Sequence, residues 1–312
     1  MSLLNNRWLI ADIGATTSRC AIYDGNNVQQ LQIINNNGYK GAIELLDQYI
    51  SQVNINADGC ALAVAAPVES EEIQMINRDW RFSRQKIANL GFRQVKILND
   101  FHAISYALPH FDDSARIEVG TANKYRSGNT AVLGPGSGLG MAAWIDGSGP
   151  MCGEGGHITL SGRNETEDII IAVLRKYYGH CSAERILSGP GLLALHEAMH
   201  KERLMAPEDI TGNMKIQANR ETMDQWFKFL ATVAAELALI TGALGGVYIA
   251  GGIVPSVIKQ IKISEFRSRF EDKNRYGGYM QGIPTWIITD PVPGLTGLTY
   301  LIDQKLNSEA LN

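Results

Sequence analysis

One short pattern occurs twice in this chain, and a pattern written twice calls for two halves built alike. Trp8-Leu9-Ile10-Ala11-Asp12 is an apolar run that ends in Ile13-Gly14-Ala15-Thr16-Thr17. A second apolar run, Cys20-Ala21-Ile22-Tyr23, follows it and stops at the turn pair Asp24-Gly25. Much later, Thr130-Ala131-Val132-Leu133 leads into Gly134-Pro135-Gly136-Ser137-Gly138-Leu139-Gly140. Met141 to Ile145 and a second turn pair, Asp146-Gly147, come next. Each copy predicts a strand, a small-residue turn, a second strand and an Asp-Gly hairpin. Tips of Gly, Ser and Thr expose backbone N–H groups, and two such tips facing each other can hold a polyphosphate between two half-molecules.

The bulk numbers allow such an architecture. At 312 residues, 45% hydrophobic and 19% charged, the chain is long enough for one large or two medium domains with a sizeable core. A formal charge of −4 argues against a dedicated nucleic-acid binder, which carries a basic domain. Cys20, Cys60, Cys152 and Cys181 are widely spaced and read as reduced thiols of a cytoplasmic protein. Met1 to Trp8 lacks a basic-then-apolar leader pattern. Leu237 to Val254 has no charged residue and the length of a membrane span, but five glycines interrupt it. It reads as a buried helix end, a turn, a buried strand and another turn, with no membrane role.

Patterning between the two copies fills in the halves. Val28 to Ile33 alternates as a third strand, and Ala42 to Val53 sets Ile43, Leu46, Ile50 and Val53 on one helical face. Cys60 to Ala66 has the continuous small-apolar run of a strand buried on both sides. Ser83 caps a short helix to Leu90, and Gln94 to Leu98 is another buried strand that stops at Asn99-Asp100. In the second half, Ile158 to Leu160 reads as a strand. Glu165 to Tyr178, Gly191 to His200 and Thr222 to Thr241 read as helices. Val247 to Ala250 and Thr285 to Thr289 are strands, and Leu295 to Lys305 is a terminal helix. Lys201 to Glu221 reads as surface loop or short helices. The domains expected are residues 1–108 with 297–312, and 109–296, with a ligand cleft at their junction.

Several residues could carry chemistry. Asp100 stands at the carboxyl end of a buried strand, where α/β sheets bind ligands. A carboxylate there can take the proton of a substrate hydroxyl during phosphoryl transfer, and Asn99 offers a donor and an acceptor to a sugar. The same pair is equally suited to capping the next helix. Gly153-Glu154-Gly155-Gly156-His157 lets backbone pass close to a ligand while presenting Glu154 and His157, or is a flexible turn. Glu184 could interact with a helix dipole or reach the same pocket. A rival is His196-Glu197-Ala198-Met199-His200, a literal His-Glu-x-x-His with zinc-hydrolase spacing but no evident third ligand. No P-loop signature occurs, and the strand-like segment after Gly140 does not fit a dinucleotide fingerprint.

Taken together, the motifs resemble the bacterial glucokinase family, the branch without the zinc-binding cysteine cluster of repressor-type sugar kinases. Asp12 to Arg19 resembles its first phosphate loop, and Leu98-Asn99-Asp100-Phe101 its catalytic segment. Gly134 to Gly140 resembles the second phosphate loop. Gly153 to His157 and Ser182 to Gly191 resemble the sugar-binding segments, and Gly245 to Pro255 the adenosine segment. The resemblance implies an α/β, duplicated ribonuclease-H-like (actin-like) two-domain fold with a central cleft. It implies transfer of the ATP γ-phosphoryl group to the 6-hydroxyl of glucose or a related hexose in a cytoplasmic homodimer.

By motif match, Asp100 is then the general base, and Asn99, Asp100, Glu154, His157 and Glu184 bind sugar hydroxyls. Ala11, Asp12, Ile13, Gly14, Ala15 and Thr16 face the nucleotide, as do Gly134, Gly136, Ser137, Gly138, Gly251 and Gly252. Asp12 sits near Mg²⁺ through water. The family pattern Gly-Gly-Thr-Asn is Gly14-Ala15-Thr16-Thr17 here, so Ala15 adds a methyl group, tolerable unless φ must be positive. Thr17 replaces an amide with a hydroxyl, and Pro135 removes a backbone donor from the second loop. These departures bear on nucleotide affinity and donor preference. They are also the sequence support for the alternative of a sugar-binding regulatory protein that has lost catalysis; the zinc hydrolase at His196 and His200 is the other alternative.

Overall fold

The structure is a computed structural model that describes residues 7–310; the Met1 to Asn6 stretch read for a leader lies outside them. The chain divides into two units, residues 1–107 with 291–312, and residues 108–290.

The first unit is organised on a five-stranded sheet. In chain order it runs β1 (Trp8–Ile13), β2 (Thr17–Tyr23), β3 (Val28–Asn35), α1 (Ala42–Val53), β4 (Gly59–Val64), the small hairpin of β5 (Glu72–Gln74) and β6 (Arg81–Ser83), α2 (Arg84–Ala88), β7 (Gln94–Asn99) and α3 (Asp100–Ala107). The C-terminal helix, Pro293–Ala310, returns to this unit. The sheet order is β3-β2-β1-β4-β7, antiparallel through the first three strands and parallel from β1 to β7. The Asp24-Gly25 turn closes as its sequence predicts: the Asp24 carboxylate accepts from the N–H groups of Asn26 (3.0 Å) and Asn27 (2.8 Å), and Gly25 has φ +92°.

Alternation along β1 divides the core. Leu9, Ala11 and Ile13 pack with Leu45, Leu46 and Tyr49 of α1, while Trp8 and Ile10 pack with Ala103, Leu298 and Ile302 on the opposite face. Every residue of β4 is buried, as its unbroken small-apolar run predicts. Gly297 is needed where the C-terminal helix meets α3, because a Cβ there would lie 1.8 Å from the Ala103 carbonyl oxygen.

The second unit repeats this order with additions. Its elements are β8 (Arg116–Glu118), β9 (Thr130–Pro135), β10 (Leu139–Ile145), β11 (Gly149–Gly153), α4 (Glu165–Tyr178), α5 (Gly189–His200), α6 (Pro207–Thr211), α7 (Gln217–Thr241), β12 (Gly246–Ile249), α8 (Ile258–Ile263), α9 (Phe266–Glu271), α10 (Gly277–Gln281) and β13 (Thr285–Ile288). The sheet order is β11-β10-β9-β12-β13-β8. Three antiparallel strands followed by two parallel ones reproduce the first unit, and β8 adds an antiparallel edge. This is the duplicated ribonuclease-H-like order. Its core is aliphatic and aromatic, with Trp226, Phe227, Phe229, Phe266 and Phe270 all buried.

Two segments depart from their sequence patterns. Ile158 to Leu160 is not a strand; only Thr159 forms an isolated bridge, to Ser182. The third strand is β11, written Gly-Pro-Met-Cys-Gly, which has little intrinsic strand preference. It forms because it is an edge strand in register with β10, and an edge tolerates Pro150 opposite Trp144. α7 begins five residues before the expected Thr222, so part of the polar 201–221 stretch is helix. The uncharged stretch resolves as read: α7 ends at Gly242 in the left-handed conformation (φ +60°), and β12 follows. Among the described residues, no helix is long and apolar enough to cross a membrane.

Candidate active site

In the first unit, the candidate residues gather at one edge of the sheet. β1 and β7 flank β4, with Asp12 level with Ala63 and Asn99 level with Val64. Asp12 and Asn99–Asp100 therefore emerge at the carboxyl ends of parallel strands, one strand apart. Ala11 and Ile13 turn fully buried side chains into the core, so they can offer a ligand only their backbone.

The Gly14–Thr16 turn is held by side chains from outside the repeated motif. Asn36 Nδ2 donates to the Gly14 carbonyl (2.8 Å), Arg78 Nη1 to that of Ala15 (3.1 Å), and the Asn36 N–H to that of Thr16 (2.9 Å). Asn36 is fully buried and fixed by Ser18 Oγ at 2.8 Å. Arg78 also donates to the Asn36 carbonyl at 2.6 Å and lies 4.4 Å over the Trp80 ring. Peptide units are planar and trans, so three carbonyls tied to one side turn the N–H groups of Ala15, Thr16 and Thr17 to the other. Backbone donors presented by a turn in this way are suited to an anion. Sequence inspection of the motif missed Asn36 and Arg78. Their only sequence signals are an asparagine run after the third strand and an arginine two residues before a tryptophan, neither with a fixed spacing to the turn. None of the turn residues has positive φ, so Ala15 is accommodated without strain.

Asp12 is paired across the hairpin with Arg19, whose Nη1 lies 3.3 Å from Asp12 Oδ2. Burial raises the Asp12 carboxyl above its ordinary range, and Arg19 opposes that rise. Arg19 Nε is buried with no hydrogen-bond partner. Gly294 approaches the same carboxylate so closely that a Cβ would sit 3.4 Å from Oδ2.

Asn99 and Asp100 both reach back to the first turn of α3. Asn99 Oδ1 caps α3, accepting from Phe101 (2.9 Å) and His102 (3.3 Å). Asp100 Oδ1 accepts from Phe101 N–H (3.0 Å), and hydrogen bonding to the Asn99 side chain also favours the charged form. Burial, with the Asp12 charge adding to it, pushes the Asp100 carboxyl up to about 7. A carboxyl so placed changes protonation state near neutral pH, as a general base requires.

In the second unit, the candidate segments converge on the Gly134–Gly140 turn. Glu184, in a single 3₁₀ turn (Ala183–Arg185), accepts from Leu139 N–H through Oε2 at 2.9 Å. A Cβ at Gly138 would lie 2.6 Å from that oxygen, so a side chain there would push the Glu184 carboxylate aside. Gly189 N–H donates to the Gly136 carbonyl at 2.8 Å. Gly251, at φ +88°, passes so near that a Cβ would be 2.2 Å from the Pro135 carbonyl oxygen. Gly156 passes within 2.0 Å of the Leu139 carbonyl by the same measure. Ser137 is exposed at the tip, Gly134 lies within β9, and Gly252 follows Gly251. Glu154 and His157 bracket the Gly155–His157 3₁₀ turn, both exposed. Pro135 offers no donor, but its carbonyl accepts from Ile253 N–H (3.4 Å).

The histidine pair does not join this site. His196 is fully buried between α5 and α7, its Nδ1 2.9 Å from Thr222 Oγ1. Burial lowers its pKa, and the ring lies 4.9 Å from that of His200. Among the described residues, no three His, Cys, Asp or Glu side chains are grouped to hold a metal ion. The geometry is that of helix packing, which corrects the metal reading of the spacing.

Comparison with known proteins bears on nearly the whole chain. The family model described as glucokinase matches residues 9–305. A glucokinase of Yersinia pestis is 36% identical, over 96% of this chain and 98% of its own length. A bifunctional protein of Paraburkholderia xenovorans is 33% identical over 97% of this chain, which spans only 50% of that longer protein. Among solved structures, the glucokinase of an Antarctic psychrotroph superposes with a TM-score of 0.84 at 28% identity, covering 96% of this chain and 99% of the other. The glucose complex of Balamuthia mandrillaris glucokinase gives 0.76 at 19% identity, covering 96% and 94%, a likeness of fold.

Proposed function

The chain belongs to the glucokinase family, and on that premise we propose that it transfers the γ-phosphoryl group of ATP to the 6-hydroxyl of glucose, with Asp100 as general base. The observation that carries this reading is Asp100 itself: a carboxyl raised to about 7 at the carboxyl end of β7, with one oxygen bonded to its own helix. As the 6-oxygen attacks, its bond to the γ-phosphorus forms and the bond from that phosphorus to the β–γ bridging oxygen breaks. ADP departs, and the hydroxyl proton passes to Asp100.

In this reading the motif residues take the following roles. Asn99, Asp100, Glu154, His157 and Glu184 bind the sugar hydroxyls. The N–H groups of Ala15, Thr16 and Thr17 hold phosphate oxygens, while the turn at Gly136, Ser137 and Gly138 and the backbone at Gly251 and Gly252 complete the nucleotide site. Asp12 suits a hydrated Mg²⁺: its carboxylate is mostly withdrawn from bulk water, and the orphaned Arg19 Nε beside it is a donor suited to an anionic ligand. The metal supplies charge neutralisation on the phosphates. The enzyme works in the cytoplasm as a homodimer.

A coupled assay with Mg-ATP against a panel of hexoses tests the proposal. Glucose 6-phosphate formation with glucose as preferred acceptor is the expected result. Glucose binding without product would instead leave a sugar-responsive protein.

A further inference from the structure

α4 carries an apolar stripe that its own unit does not cover. Ile170, Ile171 and Leu174 are buried in the core beneath the helix. On the outward side, Ile169 (58% exposed), Val173 (43%) and Tyr177 (79%) recur at four-residue intervals and so line one face. Singly exposed apolar residues are ordinary, but three in register along a helix of about 21 Å are not.

The charges beside this stripe are sorted by end. Glu165 and Asp168 are exposed in the first turns, and Arg175 and Lys176 in the last. Glu165 and Lys176 stand on the same flank of the stripe, and neither forms an ion pair among the described residues. This distribution complements itself. A second α4 laid antiparallel about a two-fold axis near Ile171 sets Ile169 on the partner's Val173 and Glu165 against the partner's Lys176. A two-fold axis perpendicular to both helices keeps like flanks together while exchanging their ends.

We propose that α4 is the self-association surface of this protein and that its occupant is α4 of a second copy; the proposal rests on the homodimer reading given above. Four helical turns bury less than the roughly 800 Å² per partner of a standard interface. Further apolar surface lies at the helix end, where the Tyr177 and Tyr178 rings stand 5.9 Å apart between centroids. Tyr178 carries Arg185 over its ring at 4.3 Å, and Ile158, 40% exposed, lies in the segment tied to the helix end by the Thr159–His180 hydrogen bond. An aromatic and aliphatic centre with charges at its rim is the usual anatomy of an interface.

Sedimentation equilibrium on the full chain tests this, with thermal unfolding and kinase activity per chain as controls for folding. The unmodified protein is expected to be a dimer. Val173→Asp, at an exposed position, should weaken the dimer at least about thirtyfold without loss of folded protein. Glu165→Lys and Lys176→Glu should each weaken it, and the two combined in one chain should restore it, because the axis sets each site against the other. An unmodified chain that stays monomeric at all concentrations overturns both the dimer and this surface. A dimer that survives Val173→Asp, or charge variants whose combination is no better than either alone, overturns the surface and leaves the dimer reading intact.

Discussion

The two small-residue turns are spelled alike and fastened by opposite chemistry. The turn at Gly14–Thr16 is gripped by its carbonyls, with donors from Asn36 and the Arg78 guanidinium on the oxygens of Gly14, Ala15 and Thr16. The turn at Gly136–Gly138 is gripped partly by a donor: the Glu184 carboxylate occupies the N–H of Leu139, while the Gly136 carbonyl is tied down by Gly189 and the Gly138 carbonyl by the N–H of Gly136. The first spends the Gly14 N–H on the Thr17 carbonyl and borrows a positive charge; the second spends the Gly136 N–H on its own Gly138 carbonyl and the Leu139 N–H on a negative charge. A duplicated fold thus yields one turn backed by a guanidinium and another linked to a carboxylate.

The largest expected effect concerns Asp100, at the carboxyl end of β7. Asp100→Asn should lower kcat by about 10² to 10⁴, with a smaller change in glucose KM. Loss confined to KM would reduce Asp100 to a binding residue. In the unmodified enzyme, kcat/KM should fall as pH drops through about 7, as Asp100 takes up its proton. Asp12→Asn should move that limb to lower pH, because the Asp12 charge is the second cause of the raised value. The effect on stability has the opposite sense. A carboxyl whose folded pKa is raised contributes stability fully present below about 4 and lost as pH rises through about 7. Asp100→Asn should therefore raise Tm at pH 8 by a few degrees, and not at pH 4.

Next in size are the two fasteners. Arg78→Ala releases the Ala15 carbonyl and the hold on Asn36, so ATP KM should rise about tenfold with glucose KM unchanged. Equal effects on both substrates would mean that the first turn is not specialised for the nucleotide. Glu184→Gln should act on both substrates but weakly on ATP. Glucose KM should rise about tenfold for a lost charged acceptor. ATP KM should rise only about twofold, since the amide oxygen can still accept from Leu139. Steady-state kinetics with each substrate varied separates these patterns.

What could be read from the sequence follows the range of the forces involved. The doubled strand-turn-strand units, the buried β4 and the Gly242 stop of α7 rest on local alternation and on single-residue conformational preferences, and both are written in consecutive letters. β11 was invisible because its strand state comes from pairing with β10 rather than from Gly149-Pro150-Met151-Cys152-Gly153 itself. His196 and His200 misled for the complementary reason: spacing showed that they share a helix face, but not that the face is buried against α7. Asn36 and Arg78 reach the first turn through 22 and 63 residues of chain separation, a link only the fold makes.

The smallest effect tests whether the first turn's departure from the family pattern matters. Ala15 stands where the family has glycine, and a glycine that adopts positive φ is costly to replace. Ala15 is not at positive φ, and its carbonyl is engaged by Arg78 as any residue's would be. The methyl group therefore restricts the unfolded chain without straining the folded one. Ala15→Gly should cost about 0.4 to 1 kcal/mol in stability by denaturant unfolding and leave ATP KM within about twofold. A glycine variant with much tighter ATP binding would mean that the methyl group obstructs the phosphates. The first turn would then be the weaker of the two nucleotide holds, reversing the order inferred from their fastenings.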